Sequence, residues 1–471
     1  MATSNGSHNG GHLYQPQVFT KTQREITREV LDQTRSTGPG YKRALAFFGL
    51  LLVLGIIGFI IRATNDGFDR FSPWGYMMAT FSFLITAAAS APVFSVTQRM
   101  VRSHWRRPMA RVAEMFAVVG VLSTLMFIPL LLLLPSSEGR RSIWFEWPGT
   151  PFWPDILAVV FLFVLGIALL FVAAVPDLAA TRDLGDGWRQ RWAARLVPGW
   201  HGDDRQWKVL RAGLMVLGAL YFMMLIFVHF LITADFAQAL VPGWKDSILA
   251  PYHALSGLQS AIAATLVVMY LLYRFGGFKD YIHADQFKSA SKILLGLSLL
   301  WFYFWFSGFI VYWYGRQPVE QNVLKTFMFE AYRWPFVISM VLTFFVPVLG
   351  LMWNFVRKSL LGPALIGLSI LVGTMMDRVR IYVATFSIAD KRADALEALH
   401  PEPLLGVPTA QMPTAPDVMI VVGGIGGAIF LYLLAMKFIP IISIWEVSEG
   451  LLYRKTVPFL KRTIMLMGKP D

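Results

Sequence analysis

The chain has 471 residues, 56% of them hydrophobic and 15% charged, with a formal net charge of +13 and no cysteine. That balance excludes a soluble globular protein, because apolar runs of about 20 residues recur along the whole length and read as membrane-spanning helices. The lack of cysteine excludes a disulfide, an iron–sulfur cluster and a thiolate-bound metal in this chain, and in a membrane protein the positive charge reports topology rather than nucleic-acid binding.

Residues 1–43 are polar: a Gly/Asn/Ser-rich start, then TKTQREITREVLDQTR, which predicts a short surface helix. The first apolar run is already of spanning length, so no cleavable leader is expected. Ten spans follow, at residues 44–61, 74–96, 112–134, 153–175, 209–232, 248–273, 292–314, 334–355, 361–386 and 418–444, and residues 445–471 form a tail. The fold class is therefore an all-α integral membrane protein, with a membrane domain at 44–444 between two terminal segments. Of the 42 Lys and Arg, 29 fall on the side that holds both termini and ten on the other, which puts both termini in the cytoplasm. Spans two and six open alike, with Pro73-Trp74-Gly75 and Pro251-Tyr252-His253. Spans 2–5 and 6–9 then read as two four-helix bundles flanked by the first and tenth spans.

Between spans four and five, GDGWRQRWAARLVPGW mixes Trp and Arg as an interfacial helix does. The loop at about 388–416 is rich in Pro and Leu and lies outside, where it can pack on a partner. The Gly-rich VVGGIGGAIF lies inside a span and reads as close helix packing, not phosphate binding. Glu446 and Glu449 read as a solvated face, and Lys437 as a snorkelling side chain.

The ninth span carries Asp377, Arg378 and Arg380 at a depth where each charge costs about 2.5–3.5 kcal/mol. Asp377 and Arg380 are three apart and can pair; Arg378 needs its own carboxylate or carbonyl. The topology puts these with Asp155, Asp235 and His253 toward the outer face, where they could bind a quinone headgroup, and His229 is a second imidazole within reach. The plainer use of the same residues is mutual neutralisation that locks helices. Thr86 and Ser90, with Thr80, Ser95, Ser123 and Thr124, could hold a water chain toward Glu114 on the cytoplasmic side, or bond their own backbone. No histidines fall at the spacing of stacked haems.

The stretches HWRRPMARVAEM, FIPLLLLLP, FWPDILAVVF, VPDLAATRD, DFAQALVPGWKDSILAPYHALSG and MMDRVRIYV resemble the NrfD-like family, which includes the membrane subunit of polysulfide reductase. Within it the similarity is to the ten-span branch of alternative complex III, a bacterial quinol-oxidising complex of the inner membrane. That complex has two such subunits, ActC and ActF, and the resemblance implies quinol-site positions at Asp155, Asp235, Asp377 and Arg378. The family's His at the end of the third span is replaced by Leu132, and the Gly-Arg that follows it is absent. The resemblance therefore implies an ActF-like subunit beside the quinol-site subunit, a scaffold with a role in moving protons. The implied partners are that second NrfD-like subunit, an iron–sulfur subunit, c-type haem subunits and lipids, with haem c and iron–sulfur clusters held by the partners, any quinone nearby and no ligated cofactor in this chain. Two alternatives stay open: the chain binds quinol (a menaquinol type) itself with His253 in the lost His role, or it is a solute transporter.

Overall fold

The computed structural model describes residues 21–136, 147–241, 243–391, 406–452, 454–459 and 462–467. Helix α1 (Gln23–Arg35) starts at a reciprocal Thr22–Glu25 capping box. There follow α2 (Pro39–Asp66), α3 (Ser72–Met100), α4 (His104–Leu131), α5 (Phe152–Leu184), the short basic α6 (Gly187–Leu196), α7 (Asp204–Asp235), α8 (Leu249–Phe275) and α9 (Ala284–Gly315). Next come α10 (Pro318–Leu324), α11 (Arg333–Leu351) and α12 (Asn354–Lys358). Helix α13 runs from Leu361–Arg378 through a π turn, Val379–Val383, into Ala384–Lys391. The last long helix is α14 (Ala415–Ala435); the short α15 (Ile444–Leu452) and an antiparallel hairpin, β1 (Arg454–Phe459) and β2 (Arg462–Met467), follow it.

Among the described residues nine helices are long and apolar enough to cross a membrane. Helix α13 is not one of the nine, and it buries Asp377, Arg378 and Arg380. The run expected as a tenth span at 418–444 is shorter: α14 ends at Ala435, and Ile444 already belongs to α15. Parts of the 388–416 loop (392–405), the 137–146 loop and the amino-terminal segment (1–20) lie outside the described residues.

Helices α3, α4, α5 and α7 pack as one four-helix bundle and α8, α9, α11 and α13 as another. Helix α3 lies between them, in contact with α8 and α13 and buried throughout its most apolar stretch. Helices α2 and α14 pair on the outside of the first bundle. Their seam is the expected glycine contact: a Cβ added at Gly55 would sit 2.7 Å from the Cα of Gly423. At one end of the seam Arg62 is buried against Asp66 (3.0 Å) and Asp417 (2.5 Å), and Asp417 also closes the capping box of α14 with Thr414. Gly55→Leu is expected to cost about 1–3 kcal/mol by overpacking. Gly296→Leu, with open space around it, should cost little; thermal unfolding of the detergent-solubilised protein compares them.

Two prolines shape the helices around the site. Pro92 has no N–H for the Ala88 carbonyl, and the helix answers with a π turn at Ile85–Ala89. The carbonyls freed there are filled by side chains: Ser90 Oγ donates to the Ile85 carbonyl at 3.3 Å and the Tyr221 hydroxyl to that of Ala89 at 2.5 Å. Pro347 likewise follows a π turn at Val341–Phe345 and frees the Thr343 carbonyl, which accepts from Gln259 Nε2 at 2.8 Å. Tyr221 reaches α3 from α7 and Gln259 reaches α11 from α8, so these interruptions also tie neighbouring helices within each bundle.

At one end of the molecule α1 packs on α15. Lys437, just beyond α14, donates to the Thr34 and Ser36 carbonyls (3.0 and 2.6 Å) at the C-terminus of α1. Helix α6 lies at this end too, with Trp188 and Trp192 part-exposed and edge-on to Phe438.

Candidate functional site

The polar side chains of α3, α7, α8 and α13 meet where the two bundles face each other. Asp377 is the centre. Its Oδ1 accepts from Arg380 Nη2 (2.6 Å), Arg380 Nε (3.2 Å) and the Tyr252 hydroxyl (3.0 Å), and its Oδ2 accepts from Arg378 Nη1 (3.0 Å). Arg378, expected to need a carboxylate or carbonyl of its own, shares the carboxylate of Asp377. It also donates through Nε to Thr86 Oγ1 (3.1 Å) and reaches the His253 carbonyl at 3.5 Å. The π turn that follows Arg378 lets one helix serve two sides: Asp377 and Arg380 meet Tyr252, while Arg378 and Tyr382 meet α3 and His253.

His253 carries the cluster onward. Its Nε2 lies 2.9 Å from Ser82 Oγ and 3.0 Å from the Tyr382 hydroxyl, and its Nδ1 lies 2.6 Å from Nδ1 of His229. His229 Nε2 in turn lies 3.4 Å from Ser90 Oγ. Every one of these side chains is buried. Two ring nitrogens at that separation need a proton between them, so one imidazole donates and the other accepts, and the two tautomers are coupled. Each ring is bridged at both nitrogens. The chain Tyr382–His253–His229–Ser90 reverses its hydrogen bonds when Ser90 turns its one proton from the Ile85 carbonyl to His229, which is the geometry a proton relay requires.

Farther along α3, toward the end that carries α15, Ser95 Oγ donates to Glu114 Oε1 at 2.7 Å. Glu114 is buried against Arg99 and Arg111, and Arg111 reaches Asp177 at 3.0 Å. Glu446 takes Arg99 (2.7 Å) and Arg106 (2.8 Å). Glu446 is fully buried and Glu449 is paired with Arg107 at 3.5 Å, which corrects the reading of both as a solvated face. Among the described residues no hydrogen bond joins Ser90 to Ser95, so a continuous path needs water there.

The remaining expected residues divide. Thr80 donates to its own Tyr76 carbonyl and Ser123 to that of Val119, the plainer use of a hydroxyl in a helix. Thr86 donates likewise to Ser82 while accepting from Arg378. Asp155 is buried in the first turn of α5 and Asp235 at the last residue of α7; among the described residues, the hydrogen bonds of the Asp377 cluster run to neither. Leu132 lies just past α4 and is 58% exposed. Tyr252 and Tyr382 were not singled out from the sequence, although Tyr252 adjoins His253 in the Pro251-Tyr252-His253 opening and Tyr382 follows Arg378 by one helical turn. Among the described residues no group of three or more His, Asp or Glu could hold a metal ion.

No protein-family model and no curated protein matches the chain.

Proposed function

We propose that this chain is an NrfD-like, ActF-type membrane subunit of a quinol-oxidising electron-transfer complex of the alternative complex III kind, and that its buried polar column moves protons. On this reading α13 also crosses the membrane, bringing the nine spans to ten, and both termini face the cytoplasm of a bacterial inner membrane. Haem c and iron–sulfur centres belong to partner subunits, and quinol is oxidised beside this chain by a second NrfD-like subunit. The observation that carries the proton role is the His229–His253 contact at 2.6 Å. Two buried imidazoles in mutual contact, bracketed by hydroxyls and next to a carboxylate held by two arginines, are costly to keep in a membrane domain and suit proton transfer. Simple helix locking needs no nitrogen bridged on both sides of both rings.

His253→Gln keeps a polar side chain but removes the second ring nitrogen, and Asp377→Asn keeps shape while removing the charge. Both are expected to lower the proton-to-electron ratio of the complex in sealed vesicles while quinol oxidation persists. A ratio equal to that of the unmodified complex in both variants rejects the proton role; loss of quinol oxidation with bound quinone displaced would instead assign quinol binding to this chain.

A further inference from the structure

A second feature borders the Asp377 cluster. In the bundle of α8, α9, α11 and α13, a cavity of about 50 Å³ opens between α8, α9, the 323–328 segment and α13. Most of its wall is apolar, but Arg380, Tyr252, Tyr312 and Asp246 all line it. Arg380 and Tyr252 are the two groups that hold Asp377 Oδ1. On the other side Asp246 lies in the loop before α8, part-exposed between the exposed Lys245 and Ser247, with Oδ1 accepting from the Ile248 N–H at 2.9 Å.

Two donors on the wall lack an acceptor: the hydroxyl of Tyr312, a residue 6% exposed that takes only the Trp244 indole N–H, and Nε1 of Trp305, an atom hidden from solvent. A buried donor without a partner costs about 1–3 kcal/mol, so an occupant that accepts hydrogen bonds is called for. The space sets its size. At ~10–15 Å³ of such volume per molecule, about three to five waters fit, whereas drug-sized ligands need several hundred Å³. Charge points the same way. Asp377 faces two arginines, and Asp246 supplies a second carboxylate across the cavity from Arg380. Burial raises the pKa of Asp246 above the ordinary carboxylate range, with Arg380 and the loop N–H groups opposing it.

We infer that this cavity is a water-filled chamber and that Asp246 is a proton-binding site linking the Asp377 cluster to the solution on that side of the membrane. The inference rests on the proton reading of the column. A proton delivered along the column first adds to the Asp377 carboxylate and passes through the Tyr252 hydroxyl, which bonds Asp377 Oδ1 and lines the cavity, to a chamber water. A proton from the same water chain adds to the carboxylate of Asp246, and Asp246 releases it to the solution; the reverse order serves uptake.

Because the chain has no cysteine, a single introduced thiol reports on the chamber. A Cβ at Gly308 would lie 3.6 Å from Asp246 Oδ2, an ordinary contact, so Gly308→Cys places its thiol there without displacing backbone. In right-side-out vesicles holding the full-length chain, external Ag⁺, a thiol-reactive ion about the size of a water molecule, is expected to react with this thiol and to leave Gly296→Cys, on an open face of α9, unreacted, as read by loss of later maleimide labelling of the denatured chain. In proteoliposomes under an imposed pH gradient, Asp246→Asn is expected to reduce proton flux at least tenfold, as His253→Gln does, with Asp246→Glu restoring most of it. An unreactive Gly308→Cys, or normal flux in Asp246→Asn beside reduced flux in His253→Gln, overturns the chamber and leaves the column reading intact. Normal flux in both Asp246→Asn and His253→Gln overturns the column reading and the chamber with it.

Discussion

Asp377→Ala is expected to destabilise the folded protein by about 3–5 kcal/mol, because it removes one partner from a buried ionic cluster and leaves the others charged. Arg378 and Arg380 are both buried, and a guanidinium does not escape the cost by losing its proton. Thr86 and the His253 carbonyl would still receive Arg378, but Arg380 donates through both Nε and Nη2 to Asp377 and would lose that acceptor. The Tyr252 hydroxyl loses its acceptor as well. Asp377→Asn keeps an acceptor oxygen and should cost less than the alanine variant. The triple variant Asp377→Leu, Arg378→Met, Arg380→Met removes all three charges together and is expected to regain most of the loss, since a buried ion cluster contributes little beyond its apolar equivalent. Thermal unfolding in detergent micelles orders the variants. A single alanine variant as stable as the unmodified protein would mean that the cluster is hydrated rather than buried.

The contrast between what the sequence foretold and what the fold added follows from locality. The long apolar runs, the α2–α14 glycine seam and the short α1 are all local patterns, and a membrane imposes length and hydrophobicity on them directly. Asp377 and Arg380 were also legible, because three-residue spacing on one helix is itself a contact. The partner of Arg378 was not: a neighbour in sequence was expected to diverge, but a π turn and a shared carboxylate bring both arginines to one acid. The histidine pair was half legible. Both rings were candidates, yet their contact joins the last third of α7 to the start of α8, and only packing sets that register. Tyr252 and Tyr382 escaped because tyrosine in an apolar helix carries no charge to draw notice; their roles appear once Asp377 and His253 are placed beside them. Glu446 was misread for the opposite reason. Its own neighbourhood is polar and follows the last span, while the arginines that bury it lie 340 or more residues earlier.

That misreading has a measurable counterpart. Glu446→Ala is expected to free α15 from the bundle, with a loss of about 3–5 kcal/mol in its docking, because Arg106 then has no carboxylate and Arg99 keeps only Glu114. Beyond Glu446, α15 is held by the Trp445 N–H to Asp177 Oδ1 at 3.1 Å, its indole Nε1 to the Ala173 carbonyl at 3.1 Å, the Glu449–Arg107 pair at 3.5 Å and its packing on α1. Hydrogen exchange at 444–452 reads the release, and unchanged protection there would show that apolar packing holds α15 without its charge. The pH dependence follows from the same contacts. Burial by itself would raise the Glu446 carboxyl, but Arg106 and Arg99 outweigh it and hold the pKa below the ordinary value. A depressed folded-state pKa contributes stability above the unfolded value of about 4.3, and loses it as pH falls through the folded value. Docking of α15 should therefore be flat from neutral pH down to about 4.3 and weaken below it. Glu446→Gln should start weaker at neutral pH and lack that acid step.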